Sequence, residues 1–146
     1  MQTIANVIYT ANATAVNGRN GHARSSDGAL DVSLAAPAAL GGTGKTGTNP
    51  EHLFAAGYAA CFIGAMQYQA GQKKIRTGDI SIDSQVEIGP ASDGKGFALA
   101  VTLNVSVAEL DDAAAKELVA AAHETCPYSN ATRGNIQVTL NAKGGK

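Results

Sequence analysis

Cys61 and Cys126 are the side chains of this sequence with the most chemistry open to them. They stand 65 residues apart and form no C-x-x-C pair, which excludes a thioredoxin-type motif. Three readings remain: inert buried thiols, a metal site, or redox chemistry. Cys126 falls at the C-terminal end of a predicted helix, where the negative end of the helix dipole disfavours a thiolate. Cys61 falls in the middle of another, the most apolar stretch of the chain. A free thiol with a pKa of about 8.5 is only slightly ionised at neutral pH, and burial reduces that further. A reactive Cys61 therefore needs a cation brought from elsewhere in the fold. Arg19, Arg24, Arg76, Arg133 and the lysines are the candidates, and spacing alone does not choose among them.

The histidines open two other readings. His123 stands three residues before Cys126, so the two could share a helix face; with His52 and Cys61 the pair could bind zinc. Cys61 and His123 could instead be the nucleophile and base of an acyl-transfer enzyme, although no third member of a triad is evident. The plainer reading of His22, His52 and His123 is as polar surface or capping residues.

These residues must be positioned by elements, and the pattern predicts strands, helix, strands, helix, strand. Thr3 to Thr10 reads as a strand. Asn12 to Val16 leads into an Asn17-Gly18 turn, a pair that favours hairpins. Ser26-Asp27-Gly28 is a second turn, and Ala29 to Leu34 alternates as a short strand. Ala35 to Thr48 is a Gly-rich loop, long enough in a small domain to carry function. Thr48-Asn49-Pro50-Glu51 starts a helix, with Thr48 as N-cap, Pro50 in the first turn and Glu51 as a capping-box carboxylate. This helix runs through Cys61 to about Gly71, and its middle has almost no polar face. An all-round apolar helix is buried on every side, more than one small domain supplies, so a partner subunit is expected. Ile80 to Ile88 and Phe97 to Val107 alternate with period two, as half-buried antiparallel strands do. Asp111 or Asp112 caps a second helix from Ala113 to about Thr125, and Ile136, Val138 and Leu140 mark a last strand.

The chain has 146 residues, one domain's worth, and 45% hydrophobic content is enough for a core. A net charge of −1 excludes the basic surplus that nucleic acid or an anionic membrane demands. Gly41, Gly42, Gly44 and Gly47 flank Lys45 without forming a phosphate-binding GxxxxGK[ST] loop. The apolar run Leu53 to Met66 is shorter than the roughly 20 residues of a membrane span. Met1 to Thr10 lacks the charged and apolar regions of a signal peptide, so a cytoplasmic protein is expected.

Two long segments carry a resemblance. Thr48-Asn49-Pro50-Glu51-His52-Leu53-Phe54-Ala55-Ala56-Gly57-Tyr58-Ala59-Ala60-Cys61-Phe62 resembles the first cysteine motif of the organic hydroperoxide resistance (Ohr) family. Cys126-Pro127-Tyr128-Ser129-Asn130-Ala131-Thr132-Arg133-Gly134-Asn135-Ile136 resembles the second. Asn17-Gly18-Arg19-Asn20-Gly21 and Ala23-Arg24-Ser25-Ser26-Asp27-Gly28 add a third match. The likeness covers essentially the whole chain and points to the Ohr rather than the OsmC branch of the superfamily. It implies a single α+β domain over residues 1–146, with antiparallel sheets wrapped around central helices in an intertwined homodimer. It also implies a response to oxidative stress: a peroxidase that reduces organic hydroperoxides, with Cys61 attacking and Cys126 resolving. Arg19 would stabilise the Cys61 thiolate and Glu51 would orient Arg19. No bound cofactor is implied; the reductant would be an external dithiol, a dihydrolipoyl group carried by a protein partner. Asn20, where an acidic residue is frequent in the family, and His22, both close to Arg19, depart from the pattern.

The apolar neighbours Phe54, Tyr58, Phe62 and Ile63 would favour alkyl or lipid hydroperoxides over hydrogen peroxide, although plain core packing is a competing role for each. Glu51 and Cys61 are ten residues apart, about 15 Å along a straight helix and nearly a quarter-turn out of line. Both reach one guanidinium with difficulty from a single helix. This spacing predicts a site shared across the dimer, with Glu51 reaching the Cys61 site of the other chain. The alternative to an enzyme is a non-catalytic redox sensor or apolar-ligand binding protein using the same cysteines.

Overall fold

The structure, a computed structural model, describes all 146 residues. The chain forms two compact units, Met1–Leu53 and Phe54–Lys146. It is α+β, with two three-stranded sheets and three α-helices.

In the first unit β1 (Ala13–Val16), β2 (His22–Ser25) and β3 (Asp31–Ser33) form an antiparallel meander. The β1–β2 connection is a single 3-10 turn, Gly18–Asn20, entered through left-handed Asn17 and Gly18. A side chain at Gly21 would put its Cβ 1.7 Å from the Val16 carbonyl oxygen, so only glycine closes this turn. Thr3 to Thr10 forms no strand, contrary to the sequence expectation. The segment finds no ladder partner in this chain, and Ile4, Val7, Ile8 and Tyr9 remain exposed.

The helix α1 (Pro50–Lys73) has its first turn in the first unit and the rest in the second. The helix begins one residue later than its predicted cap implied. Asn49, not Thr48, is the N-cap: its Oδ1 accepts from the His52 N–H at 2.8 Å. Pro50 at the first helical position fixes that choice. Along α1, Tyr58, Phe62, Ala65, Met66 and Ala70 are buried, one stripe at helical spacing. They pack on the inner residues of β5 (Phe97–Val107), Val101, Leu103, Val105 and Val107. Burying each of the larger side chains contributes roughly 1.5–3 kcal/mol. The opposite face of α1, with Ala56, Ala60 and Gly64, is exposed in the single chain.

β4 (Ile80–Pro90) pairs antiparallel with β5, as its alternation predicted. β6 (Gln137–Gly144) pairs with β5 in parallel, a departure from an all-antiparallel sheet. The connection from β5 to β6 carries α2 (Asp112–Thr125) and α3 (Pro127–Thr132), long enough to return the chain to the same end of the sheet. Asp111 caps α2 by accepting from Ala114 N–H at 2.8 Å. Leu118, Val119 and Ala122 of α2 complete the core. No helix is long and apolar enough to cross a membrane.

Candidate active site

The structure brings the expected site residues together in two pairs. The first is Arg19 with Glu51. Arg19 sits in the 3-10 turn and Glu51 in the first turn of α1. Arg19 Nη1 and Nη2 each donate to a different Glu51 oxygen, both at 2.7 Å, a bidentate fork formed within one chain. The hydrogen bond from Arg19 holds the Glu51 carboxyl below the usual carboxylate range, against the opposing effect of burial. The same bond raises the Arg19 guanidinium further, so the cation is permanent.

Two residues that follow Arg19, Asn20 and His22, are each hydrogen-bonded within the first unit. Asn20 Oδ1 accepts from the Ala36 N–H at 3.1 Å, and Lys45 Nζ donates to the Asn20 carbonyl at 3.4 Å. His22 Nε2 bonds the Asp31 carboxylate across β2 and β3.

The second pair is Cys61 with Cys126. Both are free thiols, Cys61 half-buried on α1 and Cys126 fully buried between α2 and α3. Their sulfurs are 3.6 Å apart. A disulfide needs about 2.05 Å, so a closure of well under 2 Å joins them. Burial pushes the Cys61 thiol up from its ordinary value. The Tyr128 backbone pulls it part of the way back by hydrogen bonding, and Cys126 adds to the rise. Neither group acting on Cys61 within this unit is a cation, so the need for one, argued from dielectric grounds alone, persists.

The four apolar residues expected near the thiol separate by burial. Tyr58 and Phe62 are fully buried, and present no surface to a ligand in this chain. They belong to the core because they lie on the α1 stripe that faces β5. Ile63 is half-buried. Phe54 lines an open-sided cavity of about 300 Å³ with Leu99, Tyr128, Ala131, Thr132, Asn135 and Ile136. Tyr128 links cavity and thiol: its ring is part of the wall, and its backbone acts on Cys61. Gly57 makes room for that ring, since a Cβ there would stand 3.2 Å from the Tyr128 hydroxyl.

Sequence reasoning missed the polar network behind Cys126. Ser129 Oγ is 2.8 Å from Tyr58 Oη and 2.9 Å from His123 Nδ1. Tyr58 Oη is 3.1 Å from Thr132 Oγ1, which donates to the Ser129 carbonyl at 3.2 Å. Arg133 donates to the His123 carbonyl and to Asn130 Oδ1, closing the end of α2. The available signal was position: His123 and Ser129 flank Cys126 at three residues on either side. No three His, Cys, Asp or Glu side chains gather where a metal ion could be held, and His123 turns its Nδ1 to Ser129 rather than to a thiol.

Known proteins share this arrangement of chain. A family model described as OsmC-like protein matches residues 42–141. An organic hydroperoxide resistance protein of Xanthomonas axonopodis pv. citri (strain 306) is 58% identical over 135 residues, covering 92% of this chain and 94% of that protein. The organic hydroperoxide resistance protein OhrB of Bacillus subtilis (strain 168) is 50% identical over 136 residues, covering 93% of this chain and 98% of that one. The crystal structure of Bacillus subtilis OhrB superposes with a TM-score of 0.86 at 51% identity, over 94% of this chain and 100% of that chain. An organic hydroperoxide resistance protein from Legionella pneumophila gives a TM-score of 0.89 at 48% identity, over 94% and 99%.

Proposed function

The chain belongs to the OsmC-like family, among its organic hydroperoxide resistance proteins, and from that premise we propose that it is a two-cysteine peroxidase for alkyl and lipid hydroperoxides. The observation that carries the reading is the 3.6 Å separation of the Cys61 and Cys126 sulfurs, both of them free thiols. The Cys61 thiolate attacks the distal peroxide oxygen; the S–O bond forms as the O–O bond breaks, Cys61 becomes a sulfenic acid, and the alkoxide leaves as the alcohol by taking up the proton that the thiol gave up on ionising. Cys126 displaces the sulfenic hydroxyl as water and forms the disulfide. An external dithiol, such as the dihydrolipoyl group of a partner protein, reduces that disulfide by exchange and is itself oxidised to a disulfide.

The cation for the thiolate is Arg19, oriented by Glu51. We assign it across a homodimer, the Arg19–Glu51 pair of one copy serving Cys61 of the other. Two features support a second copy: the exposed apolar face of α1 at Ala56, Ala60 and Gly64, and the exposed apolar side chains of the Met1 to Thr10 segment. The Phe54 and Tyr128 cavity suits an apolar tail, which favours organic over hydrogen peroxide. A cytoplasmic setting fits cysteines that cycle rather than staple the fold.

The test is steady-state consumption of an alkyl hydroperoxide and of hydrogen peroxide, with dihydrolipoamide as reductant, by the native protein and Cys61→Ser. Alkyl hydroperoxide turnover that vanishes in the variant is expected. No turnover by native protein with both thiols reduced would replace the enzyme with a redox sensor or apolar-ligand binding protein.

A further inference from the structure

We propose that His123, Ser129 and Tyr58 are positioning residues for the resolving step: their hydrogen-bonded chain locks the α2–α3 corner onto α1 and thereby holds the Cys126 sulfur against Cys61. The proposal rests on the two-cysteine reading above and extends it to groups that touch neither the peroxide nor the reductant.

Cys126 is the joint between two helices. Its N–H closes the last turn of α2 on the Ala122 carbonyl, and its carbonyl accepts from Asn130 in α3. Its backbone is extended there, so its side-chain direction depends on the angle between α2 and α3. The His123–Ser129 bond spans that angle. Two further bonds fasten the corner to α1, on either side of Cys61. Ser129 bonds Tyr58, three residues before the thiol, and Thr125 accepts from Gln69 at 2.6 Å, eight residues after it.

The proton count makes His123 indispensable. Four contacts link His123, Ser129, Tyr58, Thr132 and the Ser129 carbonyl, and only three hydroxyl protons are available. Thr132 spends its proton on the Ser129 carbonyl. Tyr58 must then donate to Thr132, and Ser129 to Tyr58. The fourth proton comes from His123, which donates from Nδ1. Ser129, Tyr58 and Thr132 are buried, so without a fourth proton one of these contacts would set two oxygen or nitrogen lone pairs against each other in the core. The network therefore demands the Nδ1–H form of His123, the less usual neutral tautomer.

In the resolving step the Cys126 thiol attacks the Cys61 sulfenic sulfur. The S–S bond forms, the S–O bond breaks, and the thiol proton leaves with the hydroxyl as water. Its rate depends on how constantly the second sulfur is held near the first. Slow resolution lets a second peroxide oxidise Cys61 to the sulfinic acid.

The experiment compares native protein, Ser129→Ala, His123→Ala and His123→Asn, the last of which keeps an N–H donor near the Nδ1 position. The effective concentration of the Cys61–Cys126 pair is measured by equilibration in glutathione redox buffers. Cys61 sulfinic acid is then counted by mass spectrometry after graded alkyl hydroperoxide. The Ser129→Ala and His123→Ala substitutions are expected to lower the effective concentration about tenfold and raise sulfinic acid, with His123→Asn close to native. In native protein, ¹⁵N shifts should show His123 protonated on Nδ1. Native effective concentration in the folded variants, or an Nε2–H histidine, overturns the proposal. Should Ser129→Ala not fold, the half-buried His123 pair of variants decides alone. If native protein reduces no hydroperoxide, the peroxidase reading fails, and the redox-buffer measurement still judges the positioning role.

Discussion

Removing the Glu51 carboxylate tests whether the Arg19 fork is a working part of the fold or a surface contact. In Glu51→Gln the amide still accepts one hydrogen bond, but its NH₂ group faces a guanidinium N–H and the charge is gone. The pair is neither buried nor free: the Arg19 side chain is 37% exposed and that of Glu51 14%. Exposed ion pairs contribute about 0–1 kcal/mol, and breaking fully buried ones costs about 3–5 kcal/mol. Both bonds are short and the fork is bidentate, but Arg19 is screened, so a coupling of about 1–2 kcal/mol is expected. A double-mutant cycle of Glu51→Gln and Arg19→Met, read by urea denaturation at pH 7, measures it. The pH dependence supplies a second check. The Glu51 pKa is depressed in the folded chain, so its contribution is complete above the unfolded-state value of about 4.3. It is lost as the pH falls below that value and through the folded-state pKa. Coupling below about 0.3 kcal/mol at pH 7, or coupling that survives full protonation of the carboxyl, would show that the fork does not stabilise the fold through its charge. On the proposed role of Arg19, either single variant should also slow Cys61 oxidation by alkyl hydroperoxide: Glu51→Gln releases the guanidinium from its fixed place, and Arg19→Met removes it.

Three further perturbations bear on the elements that carry these groups. Gly21→Ala should break the Arg19 turn, since its Cβ meets the Val16 carbonyl at 1.7 Å; native-like thermal unfolding of this variant would show that the turn relaxes freely. Asn20→Ala should cost about 1 kcal/mol in denaturant by leaving the Ala36 N–H without its acceptor, and Asn20→Asp should restore it while pairing with Lys45. Ser84→Ala should be neutral or slightly stabilising in the same assay, because the Ser84 hydroxyl is buried on β4 with no partner to lose.

How far each part could be read from the sequence follows from the range of the interaction that fixes it. The α1 start was legible because Asn49, Pro50 and Glu51 act within one turn; only the capping residue moved, since Thr48 and Asn49 both cap well and Pro50 decides. The faces of β4 and β5 were legible because alternation is local. The direction of β6 was not, because alternation reads the same in either direction and the α2–α3 connection determines it. At the site, the 65-residue gap between the thiols carries no geometric information, so their pairing was available only through the resemblance of the two motifs. The His123–Ser129–Tyr58 network was invisible for a related reason: 71 residues separate Tyr58 from Ser129, and a hydroxyl does not announce its partner. The requirement for a cation was legible without any partner, because burying a thiol in an apolar helix raises its pKa whatever the topology. The folded chain shows that rise at Cys61, with only the Tyr128 backbone opposing it. A thiol left in that state is a poor nucleophile at neutral pH. On the function proposed above, the Arg19–Glu51 fork and the uncovered face of α1 would answer one requirement, met by a second copy that covers the helix and delivers the charge together.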